Sequence, residues 1–487
     1  MKKLLLLLVL LSKSVLSGQT VLNSFPLNLN NPLEEGQILN VEDVKTHDIY
    51  VFAADNKNIN ILKYNKSFFL TNQFTDSIRN AEDRSLIGHS IGEDGNPILY
   101  WNSQNSKNIR IIKYFLETKT SRALNFDFPE NNEYIISTFQ KNNIFYVLAK
   151  EKNQPHLLLY EFKNGNCEIK MFDFSDFKFQ TEKGQNIAFS ALIRYYPIQK
   201  MELNDFNSLD NASNLNKMYV LDDHIILTMD YNVKKTQVFD LNMQTLEVTE
   251  KNFDLPVSQK SSKSSNSFYN QNKIFQIKTS SDELLFDIKD FDSGKTIKSI
   301  VVSKNDTIRF KNSPIFLQTN NNKPQELKTT SKFLKQLSYL SAGISVLENK
   351  KNSYITFGGF AEYVDFDYAY GANEIFNESG VPQAYTQSKM VFFDAVMNEN
   401  NDFITTKKSE PLAIDNVFYY VSTNKNISLQ NILKLKDYYI LSYYDIVLKQ
   451  FIVRKFTDGF IREDNGNPIR NKSVFSKPAS FDKIKSY

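Results

Sequence analysis

Short apolar or alternating runs, four to eight residues long and bounded by Asn, Gly, Lys or Pro, dominate the chain. Glu133–Phe174 shows the pattern most plainly: EYIISTF, NNIFYVLAK, HLLLYEF, a KNGN turn, then CEIKMF. Alternation with period two reads as half-buried strand, and a continuous short apolar run reads as strand buried on both faces. The stretch therefore predicts four strands joined by tight turns.

The last two runs and their turn recur. INILKY with KSFFLTNQF, IRIIKYF with TSRALNF, TQVFDL with LEVTE, LLFDIKD with KTIKSIVV, KMVFFDAV with NNDFI, and FIVRKF with FIRE repeat the alternating hairpin. Another pair of runs precedes most of them, such as SLIGHSI with PILYW, KMYVL with HIILTMDY, GISVLE with SYITFGGF, and ILKLK with YYILSYYD. Four strands every 45 to 60 residues or so is the rhythm of radial β repetition, in which each four-stranded unit buries its faces against its neighbours. One segment departs from it. Ser331–Leu340 places Phe333, Leu334, Leu337 and Leu340 on one helical stripe with Ser331 as a cap, or else alternates as a strand leading into GISVLE.

In this rhythm the chain resembles the β-propeller superfold of secreted proteins over nearly its whole length. The resemblance rests on strand spacing, without the Gly-His and Trp-Asp pairs or the Gly-Gly doublets of particular propeller families. The expected fold is all-β, a single β-propeller of six to eight blades, with seven favoured. Tandem β-sandwiches are the alternative. Residues 1–18 read as a signal peptide, 19–45 as an extension or closing strand, 46–470 as the propeller and 471–487 as a basic tail.

Composition sharpens this picture. The 487 residues are 41% hydrophobic and 23% charged, enough for a real core, and include 39 Phe and 25 Tyr, which favour strands. Lysine and arginine number 58 against 55 acidic residues, a net charge of +3, which calls for neither nucleic acid nor anionic membrane as partner. Lys2 and Lys3 before the apolar Leu4–Leu11 and the polar SKSVLSGQT have the layout of a secretory signal, and eight apolar residues are too few to span a bilayer core of about 20. A secreted or periplasmic protein without a transmembrane segment is expected. The single cysteine, Cys167, excludes an internal disulfide.

In a four-stranded meander, second-to-third loops and the links between blades share one face. Four insertions fall in those classes: Trp101–Asn108, Ser175–Leu215, Pro256–Ser267 and Ala361–Ser388. Binding residues concentrate on such loops. The richest carries Glu362, Asp365 and Asp367 beside Tyr368, Tyr370 and Tyr385. Carboxylates next to flat aromatic faces suit a sugar, a peptide or an oxygen-bound cation, or else the loop is simply tucked down by its aromatics. Asp365 and Asp367 begin like a calcium loop, but Ala369 and Tyr370 stand where the third ligand and glycine belong, so calcium is a weak match and no cofactor is implied. Arg194 with Tyr195 could hold an anionic ligand, and Trp101 completes the candidate set. No nucleophile elbow, metalloprotease motif or phosphate-cradling loop is present. The expected role is a monomeric exported binding or scaffold protein for a protein, peptide or glycan partner. The alternative is a carboxylate-dependent hydrolase or lyase acting on glycans on the same scaffold.

Overall fold

The regular stretch forms one complete blade. Glu133–Lys141, Ile144–Glu151, His156–Lys163 and Asn166–Asp173 pair in sequence order as an antiparallel sheet. Its turns explain the asparagines. Asn142 and Asn143 (φ 50° and 62°) and then Asn164 and Gly165 (φ 50° and 86°) place two successive residues in the left-handed region. That is the two-residue turn whose twist matches a hairpin, and Asn tolerates it best after Gly. Gln271 and Asn272 repeat it in blade five.

The computed structural model describes residues 19–459, apart from short stretches at 79–83, 104–107, 128–132, 182–183, 259–263, 321, 368–382 and 406–409. Seven sheets of four or five strands follow one another, with one extra two-stranded sheet. Blade one is Gln37–Glu42, Ile49–Ala54, Asn58–Tyr64 and Leu70–Ser77. Blade two begins at Arg84–Ile91, blade three is the sheet that begins at Glu133–Lys141, and blade four begins at Asn216–Val220, blade five at Ser264–Asn270, blade six at Ser341–Asn349 and blade seven at Ile427–Lys434. The first strand of each lies on the inner side of its four-stranded meander. Second strands are buried on both faces, as in IYVFAA of blade one, while the outer TSRALNFD of blade two is almost wholly exposed. This is why the former reads as a continuous apolar run.

The apolar cores lie between blades. Phe52 and Ile61 of blade one pack with Leu99 and Trp101 of blade two, and Tyr100 and Ile109 of blade two with Phe145 and Tyr160 of blade three. Blades seven and one share a core of Tyr444, Phe451 and Val453 with Val51 and Leu62.

Two blades take their outer strand from elsewhere, which corrects the hairpin reading at those places. In blade seven the strand Gln19–Pro26 pairs antiparallel with Gln450–Phe456, so the amino end closes the ring. In blade six the outer position beside Gln383–Asn398 is held by the upstream Ile315–Thr319, with Gln325–Leu327 beyond it. NNDFI supplies only the isolated bridge Met397–Phe403. Ser331–Leu340 does contain a helix, Thr330–Leu337, with Phe333, Leu334 and Leu337 fully buried. Its cap is Thr329, whose hydroxyl accepts from the Lys332 amide, and not Ser331. A second helix, Ala413–Thr423, arises from AIDNVFYYVST, a sequence rich in strand formers. Its Ile414, Val417 and Phe418 fill the core between blades six and seven, and the Asp458 carboxylate accepts from the Ala413 amide. Tertiary packing overrides propensity there.

Candidate functional site

The innermost strands surround a central channel, and the longest insertion enters it. After blade three the chain forms the helix Phe189–Tyr195, whose Phe189, Leu192 and Ile193 join the core between blades three and four. Ile198–Met201 then runs parallel to the first strand of blade four, with Ile198 opposite Asn216 and Met201 opposite Tyr219. It is a fifth strand on the inner edge of that blade. A parallel neighbour needs a crossover, and here Glu202–Leu215 makes it across the channel.

The crossing segment is anchored on blades six and seven. The Ser345 hydroxyl donates to the Asn207 carbonyl at 2.7 Å. The Tyr439 hydroxyl donates to the Asp205 carboxylate, and the Lys434 ammonium to the Asn204 carbonyl. Phe206 meets the Phe418 ring edge-on at 5.1 Å. The return leg, Leu209–Ala212, lies on a floor of glycine in blade six. A Cβ on Gly358 would stand 2.8 Å from Leu209 Cδ2 and 2.1 Å from the Val391 carbonyl, so only glycine admits the contact. The insertion expected as decoration of one face is thus a plug through the ring.

Beside the plug a cavity of about 1380 Å³ remains, lined by Asn40, His89, Lys150, Arg194, Asp205, Lys434 and Tyr439 among others. Burial raises the Asp205 carboxyl above its ordinary range against the opposing Tyr439 hydrogen bond, and lowers Lys434 against the nearby Asp205 charge. Burial also pushes the His89 imidazole down to about 3, so it is neutral at pH 7. Of this set the sequence marked only Arg194, because its members come from the plug and from four different blades.

The insertion face carries a second feature. The hairpin of blade six is far longer than its neighbours, Asn352–Asp367 with Gln383–Asn398. Its flanking strands end their pairing at Phe360 and Lys389. Ser388, opposite Glu362, still accepts from the Asn320 amide at 2.8 Å, and from Tyr363 opposite Gln387 to Asp367 opposite Gln383 the two strands pair with each other. Five pairs at about 3.4 Å each make a ribbon of roughly 17 Å. Glu362 at its base and Tyr363 and Val364 on it are exposed, and the Tyr363 hydroxyl donates to Gln387 at 3.2 Å. Asp365 stands opposite Tyr385 in the ladder, and Asp367 ends the strand. Tyr368 and Tyr370 lie outside the described residues.

The remaining candidates fall elsewhere. Trp101, at 3% exposure, belongs to the core between blades one and two and presents no face to a ligand. Arg194 and Tyr195 are exposed at the end of the plug helix, beside the channel mouth and in a different sector from the ribbon. In the turn Glu93–Ile98 between the first two strands of blade two, the Asp94 carboxylate is taken up by Lys113 at 2.7 Å and by Asn96. Among the described residues no three His, Cys, Asp or Glu side chains converge as a metal site. Cys167 is half-buried, and burial pushes its thiol up to about 11.

Large exposed apolar side chains are distributed unevenly. Leu33, Tyr134, Tyr195, Val233, Val257, Tyr339, Tyr363, Val364, Ile446, Val447 and Leu448 all sit on connections or strand ends of the insertion face, Val257 being 90% exposed. On the opposite face the described residues offer Val44, Phe69, Leu70 and Ile297, while Val21, Leu124, Ile169, Met171 and Val301 lie along the outer strands. The Ile446–Leu448 tip is held in shape by Asp445, whose carboxylate accepts from the Val447 and Leu448 amides at 2.9 Å.

Strand order, ring closure and channel define the class: the chain is a seven-bladed β-propeller with a strand from the amino end closing the last blade and a plug in the channel. Its sequence matches no protein-family profile and no curated protein. Solved structures similar to it include the Dos1 propeller (12% identity, 88% of this chain and 80% of that one, TM-score 0.30) and the fission-yeast SCAP WD40 domain (9%, 90% and 98%, TM-score 0.33). An uncharacterised Listeria monocytogenes protein gives 11% identity over 88% of this chain and 96% of its own, with a TM-score of 0.29. The likeness at these identities is one of fold alone.

Proposed function

We propose that the protein is an exported binding scaffold that recognises a protein, peptide or glycan partner through the insertion face. The observation that carries this reading is the concentration of exposed apolar and tyrosine side chains there, crowned by a ribbon with both edges unpaired. Apolar side chains grouped on one face of a water-exposed surface signal a contact surface. A two-stranded ribbon is marginal alone, and open edges invite another strand or a covering surface. Among the described residues no helix is long and apolar enough to cross a membrane.

Removing the ribbon tests this. A variant in which 363–387 is replaced by Asn-Gly should keep the melting temperature within about 2 °C, because the described pairs from Tyr363 to Asp367 bond to their partners across the ribbon rather than to the flanking strands. It should lose ligands that the intact chain retains on a glycan array or in a pull-down. Unaltered retention of every ligand would contradict the proposal.

The Asp205–Tyr439 pair favours a second reading, the hydrolase or lyase. A carboxyl raised by burial and facing a cavity is a candidate proton donor. Hydrolysis of a glycan that stops in Asp205→Asn would support it.

A further inference from the structure

Cationic side chains that line the cavity are for the most part taken up: Lys200 meets Glu202 at 2.6 Å, Lys350 meets Asp458 at 3.0 Å and Lys434 donates to the Asn204 carbonyl. Lys150 and Arg194 are not. Both line the cavity, Lys150 at the end of the second strand of blade three and Arg194 in the last turn of the plug helix. Among the described residues neither touches a carboxylate. Each instead lies against an aromatic ring, Lys150 at 5.9 Å from the Tyr134 centroid and Arg194 at 5.3 Å from that of Tyr195. Burial and then the Arg194 charge lower the Lys150 ammonium, as expected for two like charges lining one cavity.

Two cations held together in a cleft without a counter-ion raise each other's energy, and an anion between them would remove that cost. An arginine fork grips a planar carboxylate or a phosphate by two parallel hydrogen bonds, and a lysine adds a point charge. We propose that the channel mouth between blade three and the plug helix is a binding site for an anionic group, a carboxylate or a phosphate, with Lys150 and Arg194 as its counter-ions. The site shares the insertion face with the partner surface but does not rest on it, since a small anion needs no partner to bind.

Calorimetric titration of the full chain at low salt with inorganic pyrophosphate, citrate and digalacturonate tests this. At least one should bind the native protein. Lys150→Met and Arg194→Gln should each weaken that binding by about tenfold or more, the loss expected when one charged hydrogen-bond partner is removed. The double variant should bind none, while retaining the native melting temperature in the absence of anion. Binding of pyrophosphate alone would identify a phosphate site, and binding of the acids alone a carboxylate site. Either supports the proposal. No binding to the native chain, or equal binding to the folded double variant, would overturn it.

Discussion

Lys217→Met should cost the fold about 3 to 5 kcal/mol, the usual penalty for stranding one member of a buried ion pair. Lys217 and Asp230 are both fully buried and meet at 3.0 Å. The lysine also donates to the Asn214 carbonyl at 2.6 Å and to Asn266 Oδ1 at 2.8 Å. Asp230 accepts from the Thr236 hydroxyl and from both the amide and hydroxyl of Ser267. The network thus ties the first strand of blade four to that of blade five. Burial pulls the Lys217 ammonium below its ordinary value, with the Asp230 charge opposing. Methionine fills similar space but leaves the carboxylate charged and dry. Adding Asp230→Asn to Lys217→Met removes that charge while keeping an acceptor, and should restore roughly 1 to 2 kcal/mol. Denaturant melts of both variants check this. A single variant within about 1 kcal/mol of the native protein would show that water reaches the pair.

Loss of the closing strand should have the next largest effect. Gln19–Pro26 runs along Gln450–Phe456 with one irregularity between Val21 and Asn23, and its Leu22 and Phe25 pack on the core shared by blades seven and one. A chain starting at Leu27 loses the ladder bonds and the burial of those two side chains, together roughly 3 to 5 kcal/mol. It also exposes Gln450–Phe456 as an open edge, which should drive self-association. Thermal melts with light scattering check this, and the peptide QTVLNSFP added in trans should reverse both effects. A truncated chain as stable and monodisperse as the native one would mean that the ring closes elsewhere.

Strand rhythm carried most of the fold because each blade solves one local problem. SLIGHSI with PILYW and KMYVL with HIILTMDY are first and second strands, as their alternation indicates. What the pattern could not reveal was long-range. Ile315–Thr319 has the composition of any strand, and only its pairing with Gln383–Asn398 makes it the edge of blade six. Ile198–Met201 is too short to stand out, and its role depends on the parallel partner Asn216–Val220. Asn142, Asn143, Asn164 and Asn272, which bound the apolar runs, hold left-handed turns that glycine, sparse in this chain, would otherwise supply. For the site, Arg194 and Tyr195 were legible as an exposed basic-aromatic cluster. Lys150, Asp205 and Tyr439 were not, since each is an ordinary strand or loop residue until the channel assembles around it. Trp101 misled because a lone tryptophan next to a polar run resembles a ligand platform, whereas here it fills a core between blades.

The account turns on the insertion face as the contact surface, and a matched pair of surface variants measures that most directly. One replaces Tyr363, Val364, Ile446, Val447 and Leu448 by serine. The other replaces Val44, Phe69 and Leu70 on the opposite face. With both variants folded and tested against the same captured partner, the first should lose binding by about a hundredfold, as expected when several contact anchors are truncated together, and the second should bind like the native protein. Equal binding by the two, or loss confined to the second, would contradict it.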